Sequence, residues 1–201
     1  MAKLGKLDVV GLLQEHGAIM NGHFQLPSGF HSQTYVQTSL VMQYPHLAQK
    51  VAREMASKFP QEINVVISSA VGSMVIGQEV ARAKKARAIF TERVSGVMIL
   101  RRDFRLSEGE RVLVVDDVLN TGRLTGETVA LANAYGAKVI GAVAIVDRST
   151  GTLPLSVPVR ALISYPLQAY PPESCPLCAQ KIPITLPGSK VGGTHFSIEG
   201  L

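Results

Sequence analysis

The run RVLVVDDVLNTGRLTGET, residues 111 to 128, closes an apolar stretch with two adjacent carboxylates, Asp116 and Asp117, and then places Thr121 and Gly122 ahead of a helical pattern. Backbone N–H groups in such a turn and at the start of a helix converge on an anion, so a phosphate fits at residues 120 to 124. Acids directly before it suit the vicinal hydroxyls of a sugar, with magnesium held largely by water and by the substrate's own oxygens. The combination describes a phosphorylated sugar bound at both ends. Two other readings compete. Paired acids can bind metal alone, as at a Walker B strand, although no GxxxxGK[ST] accompanies these. An ordinary strand and capped helix would have to carry two side-by-side carboxylates, which is costly without a cation or donors.

The elements that must position these residues follow from apolar periodicity. Helices are expected near 6–16, 45–58, 75–84 and 126–136, and buried strands at 63–69, 86–92, 111–117 and 138–147, with one more near VRALISY. The segment GHFQLPSGFHSQTYV reads as turn-rich. Short Val- and Ile-rich runs without polar alternation fit strands covered on both faces, and their alternation with helices implies right-handed crossovers in a doubly wound, mostly parallel sheet. Ligands of such sheets lie at the carboxyl ends of the strands. After Asp147 eight prolines follow, so the last third is expected as a loop-rich cap, with residues 190–201 a mobile, dispensable tail.

Composition narrows the chemistry. Of the 201 residues, 20 are Lys or Arg and 15 Asp or Glu, and the whole surplus of +5 lies in residues 82–111, where nine basic residues meet four acidic ones. A nucleic-acid binder spreads its charge over a face or tail, so this is one anion-handling segment and no nucleic-acid partner is expected. With six Phe, five Tyr and no Trp there is little from which to build a base-stacking platform. No apolar run approaches a membrane span and the first residues lack the apolar stretch of a signal peptide, so a soluble, cytoplasmic protein is expected. Cys175 and Cys178, in CPLC, supply half of a tetrahedral zinc site; no second pair follows, and His195 in a Gly-rich tail is a poor third ligand. The pair is read as a structural turn beside Pro176 with no chemistry, and His23 and His31 as surface or turn residues.

The segment VLVVDDVLNTG resembles the signature of type I phosphoribosyltransferases, which bind 5-phosphoribosyl 1-diphosphate (PRPP). Other segments are similar to orotate phosphoribosyltransferases in collinear order from about residue 8 to 189: GHFQLPSGFHSQTYVQ to their N-terminal hood, SSAVGS to their diphosphate turn, ERVSGVMILRRDF to their mobile catalytic loop, AIVDR to the strand whose terminal Arg faces orotate, and ESCPLCAQKIPITLPGS to the tail of one bacterial and archaeal branch. The resemblance implies a single domain over 1–189, with a hood from 1–45 and 150–189 around a core at 46–149.

It also implies roles. Asp116 and Asp117 would hold the ribose hydroxyls, and the run Val118, Leu119, Asn120, Thr121, Gly122, Arg123, Leu124 would bind PRPP, with the 5-phosphate at 120–124. Val71 and Gly72 would meet the diphosphate; Arg93, counted with the two acids as catalytic, would open the closing loop, and Arg101 and Arg102 would serve PRPP from it. Arg148 would pair with the orotate carboxylate, beside Tyr35 and Asn120; alone, Arg148 could equally form a local ion pair next to Asp147. Magnesium as cofactor, with no direct protein ligand, and a homodimer sharing the loop complete the picture.

Several positions depart from the family's pattern. Asn120-Thr121-Gly122-Arg123-Leu124 stands where Thr-Thr-Gly-Gly-Ser is usual, Pro27 and Val97 where lysines are frequent, and Ser69 and Ser73 where Pro and Gly are. A non-glycine at 123 would be strained if that position needs a positive φ. A phosphoribosyltransferase for another base, or a PRPP-binding regulator with weakened catalysis, are the alternatives.

Overall fold

The computed structural model describes residues 7–188. Along the chain come α1 (Val9–Glu15), the strands β1 (Ile19–Gln25) and β2 (His31–Val36), α2 (Ser39–Met42), α3 (Pro45–Ser57), β3 (Val65–Ser69), α4 (Met74–Lys84), β4 (Arg87–Val94), β5 (Val97–Leu100), β6 (Arg111–Leu119), α5 (Arg123–Ala134), β7 (Lys138–Asp147), β8 (Val159–Ser164) and, after a 3-10 turn at Pro172–Ser174, α6 (Pro176–Ala179). The six strands from β3 onward form one sheet in the order β5-β4-β3-β6-β7-β8, parallel except for the antiparallel β5. This is the mostly parallel sheet flanked by helices that the apolar runs imply.

Alternation along the central strands explains why their sequences are apolar throughout. Val66, Leu113 and Val115 join α3 and α4 in one apolar cluster, whereas Val65, Ile67, Val112 and Val114 pack with Val129 and Ala132 of α5 in a second. Each strand is therefore buried on both faces and no polar stripe survives in it. Helix α3 shows the complementary rule: Leu47, Ala48, Val51, Ala52, Met55 and Ala56 form one buried stripe at helical spacing.

Gly141 of β7 is required by packing, since a Cβ there would lie 2.2 Å from the Phe59 ring and 2.8 Å from the Pro158 carbonyl. Both neighbours are held in the fold, one by its own burial and the other by its bond to Ala142 N at 2.9 Å. Gly141→Ala is expected to destabilise the protein by about 1–3 kcal/mol, the usual cost of overpacking, read as a lowered midpoint in urea unfolding with an unchanged slope.

Sequence and structure differ mainly at the two ends. The stretch read as turn-rich is an antiparallel hairpin, β1 and β2, with its register shifted between Asn21 and Phe24. His23 and His31, expected on the surface, are 2% and 3% exposed. The hairpin is joined to the C-terminal segment by bridges Phe24 to Thr185 and His31 to Tyr170. The segment resembling a mobile catalytic loop is, from Glu92 to Leu100, the end of β4, a tight turn with Ser95 and Gly96 at positive φ, and β5. The tail from 190 onward and His195 lie outside the described residues.

Candidate active site

The chain enters the sheet at β3, passes outward to β4 and β5, then returns to the other side of β3 as β6. Strand order thus reverses between β3 and β6, and at such a switch point the carboxyl ends of neighbouring strands diverge and leave a crevice. Asp116 and Asp117 lie near the end of β6 and line that crevice, and the Ala70–Ser73 turn, which follows β3, reaches them through the Ser73 hydroxyl. A cleft of about 670 Å³ opens there, lined by the hairpin and the segment after it (Leu26, Pro27, Ser28, Tyr35, Gln37, Thr38), by the end of β6 and the start of α5, and by Arg93 and Arg148.

The two acids are held differently. Asp116 is buried and accepts hydrogen bonds from Ser73 Oγ and Thr125 Oγ1, each at 2.8 Å, and from Asp117 N–H at 3.0 Å. Burial, reinforced by the charge of Asp117, pushes its carboxyl up to about 7 against the three donors that favour ionisation. Asp117 accepts from Thr38 Oγ1 at 2.7 Å and shares the Ser73 hydroxyl at 3.2 Å. The donors that make the pair tolerable come from three separate segments, which disposes of an unsupported strand end. Ser73 joins both carboxylates.

Beyond the acids, Gly122 adopts φ +72° and caps α5 with no side-chain hydrogen bond. The strain anticipated at 123 does not arise, because Gly122 takes the left-handed conformation and Arg123 is the first helical residue. The leading N–H groups of α5 lack intrahelical acceptors, as in any helix, and Thr121 to Thr125 line the cleft. This end of the cleft is an anion cradle built from backbone. The side chain of Arg123 turns to Glu127, with Nε 2.9 Å from its carboxylate, and Arg93 pairs with the same Glu127. Those two arginines hold the Glu127 carboxyl below its usual range.

Also lining the cleft is Arg148, which is 6% exposed and follows β7. Among the described residues it has no ion pair: Asp147, the neighbour that could have supplied one, accepts from Ser149 N–H at 2.9 Å, and Arg148 Nε is buried without a hydrogen-bond partner. Burial lowers its pKa, and Tyr35, whose own hydroxyl is raised first by burial and then by Asp117, stands beside it. A guanidinium left unpaired in a cleft is costly unless an anion meets it.

Not every residue expected here reaches the cleft. Leu119 is 1% exposed and belongs to the apolar core, so only its backbone lies near the site. Val71 is 80% exposed, and Gly72 stands behind Asp117, its missing Cβ 3.4 Å from the carboxylate. Arg101 and Arg102 are not among the residues that line this cleft; they pair with Glu92, at 3.7 and 2.8 Å. Val97, at the start of β5, is exposed. Conversely Thr38, Thr125 and Glu127 were not anticipated, and only Thr125, in the first turn of the helix after the acids, stood where a local signal could have found it.

The fold is shared with known proteins. Residues 40–166 match the phosphoribosyl transferase domain. An orotate phosphoribosyltransferase from Pelotomaculum thermopropionicum is 44% identical over 91% of this chain and 97% of its own length, and one from Thermotoga maritima 42% identical over 89% and 96%. Among solved structures, orotate phosphoribosyltransferase from Aeropyrum pernix superimposes with a TM-score of 0.67 at 22% identity, covering 78% of this chain and 93% of that one. Adenine phosphoribosyltransferase from Rhodothermus marinus gives 0.64 at 20%, covering 78% and 98%, so the likeness to solved structures speaks for the fold and not for the base. The domain is that of a phosphoribosyltransferase. Within that class the chain belongs to the orotate phosphoribosyltransferase family.

Proposed function

We propose that the protein transfers the 5-phosphoribosyl group of PRPP to orotate, giving orotidine 5-monophosphate and diphosphate, a step of pyrimidine biosynthesis in the cytoplasm. The observation that carries this is the set of groups lining one cleft: a backbone anion cradle at α5, the buried guanidinium of Arg148, whose Nε has no partner among the described residues, and two carboxylates. A sugar 5-phosphate suits the first, a base bearing a carboxylate the second, and ribose hydroxyls the third.

On this reading Asp116 and Asp117 accept from the ribose hydroxyls, residues 121–124 bind the 5-phosphate, and the Ala70–Ser73 turn meets the diphosphate. Tyr35 lies against the pyrimidine and Asn120 adjoins it. As the C1–diphosphate bond breaks, its electron pair leaves with diphosphate, and orotate N1 closes on the cation-like C1 while the N1 proton passes to water or to the departing diphosphate. The residues contribute position, charge complementarity and exclusion of water. Magnesium, carried in on PRPP beside Asp116 and Asp117, would neutralise charge on the departing diphosphate; the pair of hard, partly satisfied carboxylates suits a water-mediated ion of this kind. Arg93, lining the cleft and released from Glu127, supplies a cation for the same charge. The test is orotate consumption with magnesium and PRPP beside an adenine control and a PRPP-binding measurement. Orotate should be consumed and adenine left; binding without turnover would overturn the assignment.

A homodimer belongs to the same proposal. Arg101 and Arg102 stand outside the cleft of their own chain, as residues destined for a neighbouring cleft would. Mixing an inactive Asp117→Ala protein with an inactive Arg101→Ala/Arg102→Ala protein should restore part of the activity, since hybrid dimers carry one intact shared site. No recovery after exchange of subunits, shown by native mass spectrometry, would exclude sharing.

A further inference from the structure

His23 and His31, 8 residues apart across the β1–β2 hairpin, and Cys175 and Cys178, flanking and within the one-turn α6, bring four ligand atoms within 4.8 Å of one another. His23 Nε2 lies 3.0 Å from His31 Nδ1, 3.5 Å from Cys175 Sγ and 3.7 Å from Cys178 Sγ, and Cys178 Sγ lies 3.3 Å from His31 Nδ1. We propose that these four residues form a structural zinc site that fastens the N-terminal hairpin to the C-terminal segment.

The donor set and the spacing support one another. Two thiolates and two imidazoles are the ligands of a closed tetrahedral zinc site. With zinc–nitrogen bonds of about 2.0–2.1 Å and zinc–sulfur bonds of about 2.3 Å, the edges of such a tetrahedron are roughly 3.3–3.8 Å, close to the separations here. Three of the four residues are buried and Cys178 is partly exposed. The orientation of His23 is fixed from behind: its Nδ1 meets the Ile182 carbonyl at 2.7 Å. With the Nδ1 proton donated there, the Nε2 lone pair faces the other three donors, as in metal-ligating histidines tethered by a backbone oxygen.

The fold has a use for such a link. A two-stranded hairpin is marginal by itself, and the segment after β8 holds only a 3-10 turn and a four-residue helix. Two isolated bridges join them. Tyr35 and Gln37 of the cleft follow His31 closely in the chain, so the metal would brace one wall of the active site from its far side. The cysteines read from the sequence as a turn without chemistry lacked partners only because both histidines lie some 150 residues away.

Protein purified under reducing conditions without added chelator should carry about one zinc per chain by elemental analysis, and Cys178→Ser should lose most of it. Removing zinc with a chelator should lower the thermal midpoint of the parent protein, zinc chloride should restore it, and the variant should respond to neither. Should the variant fail to fold, cobalt added to the metal-free parent decides the matter: intense visible bands of tetrahedral cobalt with thiolate charge transfer are expected. A cobalt spectrum lacking them, or zinc content unchanged by Cys178→Ser, would each overturn the proposal.

Discussion

Replacing Arg148 with alanine is expected to raise the KM for orotate by about 10²- to 10³-fold while changing PRPP binding little, because the truncation removes the buried cation that a carboxylate would pair with. The asymmetry follows from position: Arg148 ends β7 at one side of the cleft, whereas the phosphate cradle belongs to α5. Arg148→Lys should recover only part of the loss, since an ammonium cannot offer two parallel N–H groups to one carboxylate. Arg148→Ala should also stabilise the ligand-free protein slightly, because it deletes a buried charge that has no ion pair among the described residues. Orotate saturation curves and urea unfolding together check both halves. Equal losses for orotate and PRPP, or a large loss of stability, would mean that Arg148 supports the fold and not the base.

Which of these residues could be seen in the sequence depended on whether their signals were local. The strands carrying the site were legible because burial on both faces strips them of polar residues, and the acids were legible because two carboxylates at a strand end demand an explanation. The hairpin was not, since Gly22, Pro27 and Gly29 and the shifted register obscure its alternation. Asp116 is made tolerable by Ser73, 43 positions away, and Asp117 by Thr38, 79 positions away, and no periodicity links them. Arg148 reads alone as an ordinary charged residue after a strand; what distinguishes it is the partner its Nε lacks among the described residues, which only the folded chain discloses. The basic segment from 82 to 111 was correctly localised, but much of its charge is answered within the chain, by Glu92 for Arg101 and Arg102, Glu110 for Arg87 and Glu127 for Arg93. A surplus counted from composition is therefore not all available to a substrate.

The carboxylate pair carries the other large effect. Asp117→Ala should lower kcat/KM for PRPP by about 10²- to 10³-fold, the scale of one lost charge-assisted contact to the reacting sugar. Asp116→Ala should cost stability as well, about 1–3 kcal/mol, because it leaves the Ser73 and Thr125 hydroxyls and the Asp117 N–H without their acceptor. Asp116 further predicts a pH dependence. Its carboxyl titrates near 7 in the folded chain against an ordinary 3.8, so between those values the folded state holds a proton that the unfolded state has released. The contribution of Asp116 to stability therefore falls as pH rises through that window and is lowest above about 7. Substrate binding runs the opposite way: ribose hydroxyls need the ionised acceptor, so PRPP affinity should decline below about 7, approaching tenfold per pH unit. Asp117→Asn removes the neighbouring like charge, lets Asp116 ionise at lower pH, and should move this limb of the binding curve toward acid. A limb due to the titration of PRPP itself would stay where it is, so calorimetric titrations of PRPP into both proteins across the pH range separate the two origins.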